Sequence, residues 1–285
     1  MYNYHHLHGK HTLEAVAGIA ILAFAGPAAA QVDVGLSPMK VEFPGIAGRS
    51  YSGSLSLTNA GTAAVRIRVE MVDFYVDEST TPQFIANVPA EAEYSCRTWL
   101  SANPMELNLD PKSQVPVRYT LRVPTTASER SYHCALGFRT MAQAVELTGT
   151  AMRTAVRLIT VFYATVGKPQ VTGVIKDLKL EQITGPLGPA WRAVVVMENS
   201  GLMLYRPVGD LAVVDSNGRV VETQKLPSFP VLPKRLQRFV LPLQGNLVPG
   251  AYTLRARIEV AGEIQQASVA VSVVAPPAVD VPPAQ

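Results

Sequence analysis

Few side chains in this sequence could do chemistry, and their spacing says more about compartment than about catalysis. Once an N-terminal leader is set aside, His133 is the one histidine left. A Ser-His-Asp or Cys-His mechanism would have to run through it, and Asp110 is distant in sequence. On a strand His133 and its neighbour Cys134 point to opposite faces, and we read His133 as a surface histidine. Cys96 and Cys134 are the only two cysteines. In an exported chain such a pair reads as one disulfide; two buried free thiols are the alternative. The bridge would close a loop of about 39 residues, worth roughly 4 kcal/mol in the chain-entropy model. Two cysteines and one histidine fall short of a zinc site. Glu91 and Glu93 could share one face, as a glycosidase carboxylate pair requires, but they sit in a polar, solvated-looking loop. The sequence holds no phosphate-cradling glycine loop, no H-E-x-x-H and no EF-hand loop. No metal or cofactor is expected, and no enzyme.

The elements that would position these residues are strands. Val115, Val117, Tyr119, Leu121 and Val123 fall on every second residue, the period of a half-buried strand. Leu109-Asp110-Pro111 before them is a turn signal. The same alternation runs through Tyr51 to Asn59 and Val65 to Val76, while 32–43 reads as one edge strand broken by Pro38. Asp77 to Glu93, polar and carrying Pro82 and Pro89, reads as a long excursion. Met152 to Val166 is β-branched and aromatic, as in a buried central strand or one shared between two partners. A second set of strands follows Gly167-Lys168-Pro169, with a hairpin at Ser216-Asn217-Gly218. Asn59-Ala60-Gly61 and Asn199-Ser200-Gly201 echo each other, as do Leu109-Asp110-Pro111 and Leu247-Val248-Pro249. No segment has a helical period. Trp99, Trp191 and the tyrosines read as core, not as a sugar-binding platform.

Short strands at this spacing imply an all-β chain of two tandem immunoglobulin-like β-sandwich domains. The 285 residues, 48% hydrophobic and 16% charged, can fill two cores. A net charge of +3 without a Lys/Arg cluster gives no reason to expect nucleic acid as a partner. Residues 1–30 have a signal-peptide layout: a polar start, an apolar run from Leu13 to Phe24 interrupted by Glu14, then Ala28-Ala29-Ala30. That run is shorter than the roughly 20 residues a membrane-spanning helix needs; an N-terminal anchor is the alternative. The expected division is a leader to residue 30, a first domain over 31–167, a second over 168–275, and a Pro-rich tail over 276–285. No transmembrane segment is expected after cleavage.

Several first-domain motifs, in this order and spacing, carry a family resemblance. They are LSPMKVEFPG (Leu36 to Gly45), GSLSLTN (Gly53 to Asn59), Asn103-Pro104, Leu109-Asp110-Pro111, Val117-Arg118, Tyr132, Phe138-Arg139 and Val161-Phe162-Tyr163. The domain resembles the periplasmic chaperones of the chaperone–usher pilus pathway, over roughly Val34 to Tyr163. The resemblance implies a periplasmic protein that binds a secreted, pilin-like subunit by strand donation, with an outer-membrane usher as a further partner. It implies that the last strand of the first domain lends Met152, Val156 and Leu158 as apolar side chains. It also implies that two bases anchor the subunit's C-terminal carboxylate. The first falls on Lys40. The second falls on Thr160, which is not basic; Arg157 is the nearest base, and a bulge would be needed to swing it in. The second domain matches a generic bacterial immunoglobulin-like module. The alternative reading is therefore an envelope or cell-surface structural or adhesion module that binds another protein.

Overall fold

Period-two alternation becomes strand through most of the residues described by a computed structural model, 33–77, 81–141, 155–185 and 188–274. The expected leader, the tail over 276–285 and Met152 lie outside the described residues.

The first sandwich runs in order through β1 (Val34–Ser37), β2 (Lys40–Gly45), β3 (Ser50–Asn59), β4 (Val65–Val76) and β5 (Pro82–Ile85). It continues with β6 (Leu100–Asn103), β7 (Glu106–Leu109), β8 (Gln114–Arg122), β9 (Ser131–Met141) and β10 (Arg157–Val166). One sheet has the order β1-β3-β8-β6; the other has β2-β10-β9-β4-β5, with β7 also on β4. The second sandwich holds β11 (Gly173–Gly185), β12 (Gly188–Asn199), β13 (Val208–Asp215), β14 (Val220–Lys225), β15 (Leu236–Pro242), β16 (Gly250–Val260) and β17 (Glu263–Val273). Its sheets are β11-β12-β15 and β14-β13-β16-β17. The chain is thus all-β, two immunoglobulin-like sandwiches in tandem.

Three sequence expectations need correction. The single edge strand over 32–43 is two strands in different sheets: β1 pairs with β3, and β2 runs parallel to β10. Pro38 lies at the switch, where its missing N–H costs no ladder bond. The polar excursion from Asp77 to Glu93 contains β5 and a 3-10 helix, Pro89–Tyr94. The counterpart of Leu109-Asp110-Pro111 is Val231-Leu232-Pro233, not the segment at Leu247. Lys112 and Lys234, each one residue further on, have φ of 56° and 57°, and donate to the carbonyls of Ala60 and Ser200. The Ser216-Asn217-Gly218 hairpin forms as its sequence demands. Gly218 takes φ +81°, and Asp215 accepts from the Asn217 and Arg219 amides.

Two apolar cores fill the sandwiches. Leu55, Leu57, Val117, Leu121, Cys134, Phe138 and Phe162 are in the first; Trp191, Val195, Phe239 and Leu254 are in the second. Cys96 and Cys134 form the disulfide within the first core. A third apolar cluster is what positions the site. On the later half of β4 and on β9 and β10, several residues between the core positions are buried too. Val72, Phe74, Ala135 and Tyr163 pack there with Leu204 and Leu232 of the second sandwich. Strands buried on both faces read as largely apolar runs, and SYHCALGF and TVFYATV, apart from Ser131, His133, Thr160 and Thr165, are such runs.

Candidate functional site

The outer face of β4, β9 and β10 meets the second sandwich at a cleft of about 540 Å³. Phe74, Phe84, Val161 and Tyr163 line it from the first sandwich, and Pro227, Phe229 and Pro230 from the second. Phe74 is the pivot. Its ring stands 5.7 Å from Phe84 and 5.8 Å from Tyr163, the latter edge to face at 82°. Phe229 is left 60% exposed on the opposite lip, which is unusual for so large an apolar ring.

The rim is basic. Lys40, Arg206 and Arg238 reach the cleft. Glu42 takes Lys40 Nζ at 3.1 Å and the Arg206 guanidinium at 2.5 and 3.3 Å. Glu181 takes Arg192 and Arg238, at 2.8 and 2.7 Å. Each carboxylate faces two cations, so the rim has a surplus of positive charge. Arg206 also stacks over the Tyr163 ring, 5.3 Å from its centroid. Burial pushes the Tyr163 phenol up to about 12 against the pull of Arg206, and it stays protonated.

Beneath the cleft lies a polar joint, buried on its Glu91 side. Glu91, which the sequence placed in a solvated loop, is 1% exposed and paired with Arg235 of the second sandwich. The Pro89–Tyr94 turn carries it inward. His133, expected at the surface, is also 1% exposed, with Nε2 3.3 Å from Glu91 Oε2 and its ring 4.9 Å from Phe74. The alternation argument did hold, since Cys134 enters the first core while His133 faces the second sandwich. Burial drags the His133 pKa down to about 4, against the Phe74 backbone hydrogen bond and Asp73. Asp73 is held by Ser95, the Val88 amide at 3.0 Å and Arg97 at 3.4 Å. A general base must reach the proton it removes, and this imidazole touches no solvent.

The residues singled out from the sequence fall around β10. Lys40 stands on the cleft face of β2, 54% exposed at its side chain, and its register partner on β10 is Val161. Arg157 is on that same face, four residues upstream and so about 13 Å away along the strand. The β9–β10 register runs unbroken from Arg157 to Thr165, so no bulge moves Arg157. It is held by Glu70 at 3.0 Å and by the Phe84 carbonyl at 2.9 Å. Thr160 is buried, and its hydroxyl donates to the Pro38 carbonyl at 2.9 Å. Leu158 packs against the first core, and the Val156 amide donates to Thr140 Oγ1. Arg206, Arg238 and Phe229 escaped the sequence reading because only the docking of the two sandwiches brings them to the cleft.

β10 also has an open edge. Its parallel pairing with β2 begins at Val161, whose amide donates to the Met39 carbonyl. Upstream, over Arg157–Thr160, no described strand pairs with β10 on that side. The even residues bond β9, so the N–H groups of Arg157 and Ile159 point outward. Among the described residues no cluster of His, Cys, Asp and Glu could hold a metal ion, and no helix is long and apolar enough to cross a membrane.

No family model matches the chain, and no curated protein matches it. Several solved structures are similar to it at low identity. It is similar to the class 5 fimbriae chaperone CfaA, at 11% identity over 85% of this chain and 100% of that one, with a TM-score of 0.43. It is similar to a chain of the Salmonella enterica SafA pilin–SafB chaperone complex, at 11% identity over 86% and 99%, with a TM-score of 0.42. The E. coli chaperone DraB follows at 11% identity over 84% and 98%, with a TM-score of 0.40. Likeness at this level carries no argument about function.

Proposed function

We propose that this protein is an exported, periplasmic chaperone that holds a secreted, pilin-like subunit by strand pairing along β10. The observation that carries this reading is the open edge at Arg157–Thr160, which runs directly into a basic, apolar cleft. An unpaired edge is a template for a second chain. Backbone bonds to Arg157 and Ile159 would supply affinity, and the cleft would receive the end of the added strand. Lys40 stands where that strand's C-terminal carboxylate would arrive. Arg157, on the same face upstream, would flank the strand as it enters. The motifs around Lys40, Asn103-Pro104 and Phe162 support the same reading, and an outer-membrane usher would be the acceptor. The reading involves no catalysis.

The test is purification of the mature protein from the periplasm of its own organism, with Ile159→Pro, Lys40→Ala and Arg157→Ala variants. Proline at 159 deletes an outward N–H and leaves the β9 ladder intact. A single exported subunit is expected to accompany the parent protein and to be lost with Ile159→Pro. If no subunit accompanies the parent, or if Ile159→Pro retains it and fibres assemble with both base variants, the chaperone reading fails.

A further inference from the structure

An open sheet edge invites a second chain, and proteins blunt their edges with short strands, charges, prolines and bulges. Most edges here are blunted in these ways. β1, β5, β6 and β7 are four residues long. β2 carries Lys40 and Pro44, and β15 carries Arg238 and Pro242. β14 carries Glu222 and Lys225 and lies beside a register shift between Val213 and Val214. β11 carries Lys176 and Lys179 and has its own shift between Ile175 and Asp177. Its start is closed by Gln265, whose side chain accepts from the Ile175 amide and donates to the Gly173 carbonyl.

β17 has none of these devices. It ends its sheet, runs for 11 residues and pairs with β16 without a shift. From Ile264 to Val273 it holds no charged residue, no proline and no glycine. Ala261 and Gly262, with φ of 53° and 89°, make the turn between Val260 and Glu263. A turn of this kind closes on a hydrogen-bonded pair. The odd-numbered residues of β17 therefore bond β16, and Ile264, Gln266, Ser268, Ala270 and Ser272 turn their N–H and C=O groups outward. Among the described residues no strand pairs with them.

We propose that β17 pairs antiparallel with β17 of a second copy of this chain, about a two-fold axis at Ser268. In such a contact a residue at the axis meets its own copy, and like charges directly opposite repel. Lys179, midway along β11, would meet itself, as would Glu222 on β14. β17 sets only uncharged residues against each other. Ser268 is the middle of the strand, so this register pairs the most residues. Gln266 then faces Ala270. On the inner side Ala267 faces Val269, and both already pack against the second core. The joined sheet ends at the two guarded β14 edges, so assembly stops at a dimer. The contact uses neither β10 nor the cleft.

The experiment is sedimentation velocity on the full mature chain over a concentration series. The parent should dimerise with a Kd of about 10–100 µM, because one strand pair lies at the small end of interface sizes. Ser268→Lys sets lysine against lysine, beside Arg255 on each β16, and should weaken the dimer by about tenfold or more. Ser268→Glu should weaken it likewise. An equimolar mixture of the two should restore the dimer, since lysine then faces glutamate, and restoration also shows that both variants fold. Val220→Lys, at an exposed position on β14, should leave the dimer unchanged. A parent still monomeric at about 1 mM, a dimer that survives Ser268→Lys, or a dimer lost with Val220→Lys overturns the proposal. So does a mixture of the two charged variants that stays monomeric.

Discussion

Asn59 and Asn199 make the same three side-chain hydrogen bonds in two different sandwiches. Each Oδ1 accepts from the amide two residues on, Gly61 or Gly201. Each Nδ2 donates to the carbonyl four residues on, Ala63 or Met203, and to a distant one, Leu109 or Val231. The backbone follows suit: Asn59 and Asn199 donate to Ser113 and Arg235, and Ala60 and Ser200 to Asp33 and Thr172. One corner has been built twice, tying the end of β3 to β8 and the end of β12 to β15.

Removing either asparagine should therefore cost the same in kind. Alanine would leave a buried amide and two buried carbonyls without their partner, and each such group costs about 1–3 kcal/mol. Asn59→Ala and Asn199→Ala should each lose about 2–4 kcal/mol in urea unfolding, given partial relaxation around the site. A loss under about 0.5 kcal/mol, the size of a surface substitution, would show that these bonds do not hold the corner.

Much of this architecture is legible in the residues. Alternation gave the strands, and the Asn-x-Gly echo marked the duplicated corner. The Leu-x-Pro echo misled because a turn proline recurs for local reasons. Its true counterpart, Val231-Leu232-Pro233-Lys234, shares only the Pro-Lys pair and the left-handed lysine. The site was less legible. The β-branched and aromatic run that includes β10 read as a buried central strand, yet nothing local says that His133 and Glu91 meet beside it. Lys40 could be found from its motif. Arg206 could not, since its place depends on how one sandwich docks on the other.

Acid should weaken this protein in a window set by His133. Its folded pKa of about 4 lies below its ordinary value of 6.5. Between those values the unfolded chain binds the proton and the folded one does not, so stability falls as pH falls from about 6.5 toward 4. The full span is worth about 3 kcal/mol at most. Glu91 and Asp73 lie beside the ring. His133→Gln should flatten the slope between pH 6.5 and 4.5 in urea titrations; an unchanged slope would show that His133 does not set it.

The disulfide joins the turn after Tyr94 to β9, inside the first core. Mass spectrometry of unreduced peptides should find Cys96 linked to Cys134. The double Cys96→Ala, Cys134→Ala variant should lose about 2–4 kcal/mol. Two free thiols in protein taken from the periplasm would contradict the structure and the expected compartment together.

Breaking the Glu91–Arg235 pair should loosen the hold between the sandwiches. Glu91 is buried while the Arg235 side chain is 38% exposed, so removing Arg235 leaves a buried carboxylate without its partner, a cost of about 1–3 kcal/mol. Arg235→Ala should therefore destabilise the chain and speed proteolysis near Gly167-Lys168. Glu91→Gln, which keeps the shape, should cost less. Equal, negligible losses for both would mean that the apolar cluster of Phe74, Tyr163, Leu204 and Leu232 holds the joint alone.

Amide hydrogen exchange along β10, measured by NMR on the mature protein alone and with its co-purified subunit, tests strand pairing most directly. Leu158 and Thr160 face β9 and should be protected in both states. Arg157 and Ile159 face the open edge; they should exchange quickly alone and slow by about a hundredfold or more when a partner strand bonds them. That alternating pattern is the signature of an added strand. Uniform protection, or no change at Arg157 and Ile159 in the complex, would contradict it.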